Sequence, residues 1–390
     1  MRAGLTVLCL AYVLSQFFRA FLAVLSGVLA QDIGTTPDDL AFASGLWFLS
    51  FAVMQLPVGW ALDRIGPRRT ASVLLLLGGA GGAAVFALAG SALQINIAML
   101  LIGVGCSPVL MASYYIFARQ FPAAQFATLA ALMLGVGSVG NLVASYPMAW
   151  AAETLGWRAS LWALAILSAA VALGIGMLVR DPESVEGDVR GSVLDLLKMP
   201  ALWAMFPLMF VNYAPAAAVR GLWIGPYLSD VFGLSTGQVG QATLVMGIAM
   251  ICGTLCYGPL DRIFGTHKWV IFTGNMLCAV TTLLLALLLG ANVYLSIALC
   301  AALGFFGGSF PVIIAHARSF TPPHLAGRGV TLMNLFGIGG VGLMQFASGS
   351  LHRAASADGG QAGYVALFLL FGLSLLAGTL IYLFSRDRAN

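Results

Sequence analysis

Gly59-Trp60-Ala61-Leu62-Asp63-Arg64-Ile65-Gly66-Pro67-Arg68-Arg69 is the stretch on which the reading of the whole chain turns. Gly66-Pro67 dictates a turn, and Asp63, Arg64, Arg68 and Arg69 crowd around it. On either side the chain is apolar over 41–62 and 70–90, and roughly 20 such residues cross a hydrocarbon core. The stretch is therefore a short charged connection between two membrane-crossing segments. Working outward, the same alternation reaches both ends, with further spans at 5–29, 93–117, 124–150, 158–179, 201–229, 238–260, 268–290, 293–316, 326–350 and 362–384.

Composition agrees. The chain of 390 residues is 60% hydrophobic and 8% charged, where soluble domains carry about 25% charge. The expected fold is an all-α membrane protein of 12 transmembrane helices. Lys and Arg settle its orientation. One side receives Arg2, Arg64, Arg68, Arg69, Arg119, Arg180, Arg190, Lys198, Arg262, Lys268, Arg318, Arg328, Arg386 and Arg388, the other only Arg158 and Arg353. Both termini are thus expected in the cytoplasm, in a cell inner membrane, with no signal peptide. Cys9, Cys106, Cys252, Cys256, Cys278 and Cys300 all lie in apolar stretches and read as small core residues, without the neighbours of a metal site.

The chain repeats itself. Asp63-Arg64-Ile65 returns as Asp261-Arg262-Ile263, and Ala118-Arg119-Gln120-Phe121-Pro122 as Ala317-Arg318-Ser319-Phe320 followed by Pro322 and Pro323. Gly135, Gly137 and Gly140 return as Gly337, Gly339, Gly340 and Gly342, and Arg19 as Arg220. Order and offset together indicate a duplicated six-helix unit. The expected division is a six-helix bundle over 1–183, a polar cytoplasmic linker over 184–200 and a second bundle over 201–390.

This plan, and the 59–69 stretch above all, resembles the major facilitator superfamily. The stretch is similar to that family's loop motif G-x-x-x-D-R-x-G-R-R/K, with Pro67 as an extra residue. The resemblance implies alternating access by two pseudo-symmetric six-helix bundles. It also implies gating roles for Asp63, Arg64 and Arg68, with Asp261 and Arg262 as a degenerate second copy. Physically, a carboxylate at a helix end pairs with nearby guanidiniums and favours helix N-termini. Two family features are missing. The fourth span lacks the R-x-x-x-G-x-G of many proton-coupled members, reading Met99-Leu100-Leu101-Ile102-Gly103-Val104-Gly105. The fifth lacks the Gly-Pro pair of drug antiporters.

Of the basic side chains only Arg19 and Arg220 fall inside spans. Each lies about ten residues from a helix end, hence roughly 15 Å deep. A guanidinium there costs about 2.5–3.5 kcal/mol on insertion scales, so it needs a wet cavity or a counter-charge. Every Asp and Glu maps to a loop or a helix end, with Asp32 and Asp230 nearest. The expected counter-ion is the cargo, a small organic anion such as a carboxylate or phosphate ester. The arginine pair resembles that of the organophosphate:phosphate antiporter branch. Tyr12, Gln16 and Arg19, with Ser15 beside them, share a helix face, as do Asn212, Tyr213 and Arg220. Trp223, Tyr114, Tyr115, Asn141 and Asn334 complete the expected cargo-binding set, with Tyr146 and Gln345 as further polar residues of cavity-lining spans. Pro207 and Pro215 are expected to bend the seventh span, Trp47 and Trp203 to anchor at the membrane interface, and His316 to serve packing.

No nucleotide loop, nucleophile-base constellation or basic soluble surface occurs. The expectation is a monomeric, cofactor-free secondary transporter rather than an enzyme or a nucleic-acid binder. Coupling would come from anion exchange or from proton symport, with a rim acid such as Asp32 as one carrier. The alternatives are efflux of drug-like compounds and, in another class, a transporter-like solute receptor.

Overall fold

In the computed structural model the described residues are 2–121, 123–182, 196–322, 326–357 and 360–387. The side chains of Arg262 and Arg328 and most of the expected linker lie outside them. All regular structure among the described residues is helical. Eleven helices are long and apolar enough to cross a membrane, and a bent pair makes a twelfth span. In order they are the pair Ala3–Phe18 and Leu22–Ile33, then Pro37–Arg64, Pro67–Ala87, Ala92–Gln120, Leu132–Thr154, Trp157–Leu178, Pro200–Phe232, Thr236–Asp261, His267–Leu287, Val293–Phe320, Gly329–Ser356 and Gln361–Tyr382. They are numbered one to twelve below.

The chain divides into two compact units, residues 1–186 with 235–241, and 187–234 with 242–390. In each, corresponding helices pack together: span one on five and six, and three on six; span seven on eleven and twelve, and nine on twelve. The repetition reaches the helix ends. Gly34 and Gly233 end spans one and seven in the left-handed region, at φ 69° and 67°, where glycine alone carries no side-chain penalty. Spans two and eight then open on matching caps. Thr36 and Asp39 form a reciprocal capping box. Ser235 and Gln238 do the same, at 3.0 and 3.4 Å. Each satisfies N–H groups that a helix start leaves open.

Small residues set the helix spacing, as they do in lipid, where close backbone contact replaces hydrophobic association. A Cβ on Gly140 of span five would fall 2.0 Å from the Val13 carbonyl oxygen of span one, and one on Gly340 of span eleven 2.0 Å from that of Phe210 in span seven. The two crossings are 200 residues apart and identical in kind.

Candidate functional site

Span one is broken where its arginine sits. A helix of 17 residues ends at Phe18 and one of 12 begins at Leu22, and the spanning segments meet at 54°. Arg19, Ala20 and Phe21 form the turn between them, midway along the span. No proline or glycine lies there. The break is held by packing instead. Phe21 stacks on Phe17 at 5.7 Å, meets Phe18 edge-on at 5.9 Å and reaches Phe86 of span three at 5.3 Å. No side chain caps the second half-helix, so its positive end faces the break beside Arg19. Mid-span half-helix ends of this kind suit an anionic group.

Around Arg19 the first half supplies an aromatic floor and polar walls. The guanidinium carbon lies 5.3 Å from the ring centre of Trp47 and 5.7 Å from that of Phe51, and those two rings stack at 5.2 Å. Trp47 was expected at an interface. It is fully buried, ten residues inside span two, where its carbonyl packs against Gly103 of span four. Trp203 is exposed, as an anchor would be. Gln16 donates from Nε2 to the Tyr12 hydroxyl at 2.8 Å. Ser15 pairs with the Cys106 thiol, which lies within electrostatic reach of Arg19. Tyr114 is half-buried within electrostatic reach of Tyr12. Three buried atoms here have no hydrogen-bond partner: Arg19 Nε, Trp47 Nε1 and Gln16 Oε1. Among the described residues no carboxylate lies within ion-pair distance of Arg19. Such orphans are uncommon in folded proteins.

In the second half the irregularity takes another form. Span seven breaks at Ala204 and at Tyr213, just before Pro207 and Pro215, as a missing N–H and a ring clash one turn back require. It then widens into a π-turn over Val219–Trp223 that carries Arg220. Arg220 is buried, 4% exposed, and its Nη2 lies 3.0 Å from where a Cβ on Gly247 of span eight would stand. Tyr213 is within electrostatic reach of it and packs on Phe310 at 5.2 Å. The other residues expected on this face also bond within the half, although Asn212 Oδ1 is buried without a partner. The Asn212 amide donates to Asn275 and Ser309, at 2.5 and 3.0 Å, which ties spans seven, nine and ten. The Trp223 indole donates to Gln345 and Ser348 of span eleven, at 3.1 and 3.0 Å. Its ring packs on His352 and Tyr364 rather than on Arg220. Asn334 and Asn141 are half-buried, and Tyr146 is exposed.

The expected gating residues belong to a loop cluster away from the mid-span groups. Asp63 and Arg64 are exposed, and Asp63 hydrogen-bonds with Tyr115, which sits under Arg119 at 4.4 Å. Tyr115 thus belongs with this loop cluster and not with the mid-span groups. The Arg68 backbone N–H donates to Asp181 at 2.7 Å. In the second half Asp387 takes the same part, accepting from the Thr266 hydroxyl and from the Lys268 N–H at 3.2 Å. Arg180-Asp181 and Arg386-Asp387 are one more repeat, and each aspartate caps the third helix of its half. Asp261 pairs with His267 at 3.3 Å, whose ring stacks on His316 at 5.5 Å. His316 bridges the Tyr382 hydroxyl and the Arg386 carbonyl. Asp32 is bound to Arg158 and accepts from the Trp157 indole at 2.8 Å. Asp230 accepts from Tyr364 at 2.5 Å.

Known proteins resemble the chain throughout. The sequence model described as Major Facilitator Superfamily matches residues 8–224 and 205–390. The probable sulfoacetate transporter SauU of Cupriavidus necator is 22% identical over 75% of this chain and 71% of its own length. The 4-hydroxybenzoate transporter PcaK of Pseudomonas putida is 27% identical, over 45% of this chain and 39% of its own. The probable galactarate/D-glucarate transporter GudP of Escherichia coli is 25% identical, over 36% and 32%. Among solved structures, a D-xylose-proton symporter superposes with a TM-score of 0.78 at 15% identity, covering 97% of this chain and 96% of that one. A bacterial homologue of the lysosomal transporter Spinster gives 0.71 at 16%, covering 98% and 94%.

Proposed function

Because the chain belongs to the major facilitator superfamily, we propose that it is a secondary transporter of small organic anions working by alternating access. Arg19 is the anion ligand of the first half and Arg220 that of the second. The observation that carries this reading is Arg19: a guanidinium at mid-span, on a broken helix, whose buried Nε has no protein partner. A charge so placed needs an anion, and the protein offers none within reach among the described residues. Sulfoacetate, 4-hydroxybenzoate and glucarate, in the names of the relatives, have a carboxylate in common. They favour a carboxylate over a phosphate ester. Both termini lie in the cytoplasm on this reading, and Asp63, Arg64 and Arg68 form the inner latch. Asp32 is occupied by Arg158 and Trp157, which favours anion exchange, or a proton riding with the cargo, over a proton carried by this rim acid.

The test is carboxylate uptake into proteoliposomes. A charge-assisted hydrogen bond contributes about 1.5–3 kcal/mol, so Arg19→Gln is expected to weaken uptake roughly 10- to 150-fold. Arg220→Gln is expected to act in the same direction. Wild-type uptake in both variants would sink the reading.

A further inference from the structure

The unpartnered atoms beside Arg19 are not all of one kind. Arg19 Nε and Trp47 Nε1 are donors, while Gln16 Oε1 is an acceptor. A bare carboxylate answers the first two. With hydrogen bonds of about 2.9 Å, its two oxygens can serve two donors at once, and Arg19 Cζ lies 5.3 Å from the Trp47 ring centre. It cannot answer the third, because a carboxylate only accepts. Gln16 stands in the last turn of the helix that ends at Phe18, immediately before the break that carries Arg19. Its amide is held by the bond from Nε2 to Tyr12, which leaves Oε1 turned away from Tyr12. Trp47 is fully buried, so water from the surface does not reach its indole N–H freely. Two unpartnered donors and one unpartnered acceptor in the same part of the first half match a ligand that brings both an anion and a hydroxyl.

We propose that the first-half site selects hydroxycarboxylates, with the cargo carboxylate on Arg19 and Trp47 and a cargo hydroxyl donating to Gln16 Oε1. This rests on the anion reading of Arg19 and goes one step past it, to what Gln16 reads.

The test uses the full-length protein in detergent and follows thermal stabilisation by matched carboxylates, with and without a hydroxyl. The pairs are lactate and propionate, 3-hydroxybutyrate and butyrate, 4-hydroxybenzoate and benzoate, and D-glucarate and adipate, which together vary the distance from carboxylate to hydroxyl. Leaving the buried acceptor empty is expected to cost the unhydroxylated member about tenfold in Kd in at least one pair. Gln16→Met, and Gln16→Asn if the first folds poorly, should erase that preference. Trp47→Phe keeps the ring and should weaken both members alike. Pyruvate against lactate tests the amide's direction: preference for pyruvate would mean that Gln16 offers its N–H₂, and would overturn the proposal. So would equal binding within every pair, or a hydroxyl preference that survives Gln16→Met. These failures leave the anion reading intact if Arg19→Gln still abolishes carboxylate binding. If carboxylates bind Arg19→Gln as they bind wild type, both readings fall together.

Discussion

The crossing of spans one and five holds the Tyr12–Gln16–Arg19 face in place, and Gly140→Ala probes it with a single methyl. The added carbon would stand 2.0 Å from the Val13 carbonyl oxygen, 2.9 Å from its carbon and 3.0 Å from the Phe17 nitrogen. Even a close C–H···O contact keeps carbon and oxygen about 3.3–3.6 Å apart. The helices must therefore part by roughly 1.4 Å, and the three nearest atoms at that crossing are backbone, which has no rotamer to yield. Overpacking of this kind costs about 1–3 kcal/mol. The internal control is Gly135→Ala, five residues earlier on the same helix, where a Cβ meets nothing within 4 Å. There the change removes backbone freedom from the unfolded chain and is neutral or stabilising, by up to about 1 kcal/mol. Gly340→Ala, facing Phe210 at 2.0 Å, should repeat the loss in the second half. The assay is thermal unfolding of the purified variants in one detergent, followed by loss of the monodisperse peak. A Gly140→Ala midpoint equal to wild type, or a Gly135→Ala midpoint that falls as far, would refute the argument that this contact sets the spacing.

Asn212→Ala should destabilise the second half by about 1–2 kcal/mol, because it leaves Asn275 and Ser309 short of a partner in a fully buried triad. The same measurement reads it, and an unchanged midpoint would count against the triad. At the chain's end, burial pushes the Asp387 carboxyl up, but the Thr266 hydroxyl and the Lys268 and His267 N–H groups outweigh it and hold it below the ordinary aspartate value. A depressed carboxyl stabilises the fold above its unfolded pKa, near 3.9, and that contribution disappears as pH falls through the folded value. Asp387→Asn should therefore melt with less dependence on pH below about 4, and an unaltered acid slope would show the cap to be thermodynamically silent.

The spans were legible because lipid leaves so few solutions: an apolar run of the right length is a helix. Residues 158–179 became Trp157–Leu178, and 93–117 became Ala92–Gln120. The two capping boxes were legible too, in Thr36-Pro37-Asp38-Asp39 and Ser235-Thr236-Gly237-Gln238, but short caps beside long apolar runs are easily passed over. The break at Arg19 was not legible. Phe17-Phe18-Arg19-Ala20-Phe21 contains no residue that ends a helix, and the Phe86 ring that packs on Phe21 comes from another span. Trp47 carried a usable signal in its position, six residues inside the apolar run 41–62 and deep for an interfacial anchor. What Trp47 does there depends on a neighbour in another span. Asn212 and Trp223 lie within reach of Arg220 along the chain, and each also hydrogen-bonds within its own half, which local spacing does not announce.

The two arginines share a more specific property than depth. Each sits on a backbone irregularity, and the irregularities differ in kind: a full break at Arg19 and a π-turn at Arg220. In hydrocarbon a regular helix consumes all its own N–H and C=O groups. A side-chain charge on such a helix stands alone. A break or a π-turn releases backbone dipoles at the level of the charge, and π-turns gather at functional sites. At Arg19 what is released is the positive end of a half-helix of 12 residues, which adds to the guanidinium and raises the demand for an anion. At Arg220 the helix continues through Ile224–Phe232 without an open end, and the guanidinium is buried against Gly247. The duplicated unit has therefore diverged at its charged centre. On the proposed reading both arginines ligate the anion, and the open half-helix end gives Arg19 the larger share. On this argument Arg19→Lys, which keeps the charge but lacks Nε, should lose most carboxylate binding. Arg220→Lys should lose less binding and more stability, because Lys cannot fill the planar contact on Gly247. The reverse ranking in the same detergent-based stabilisation assay would show that the two sites have not divided their roles in this way.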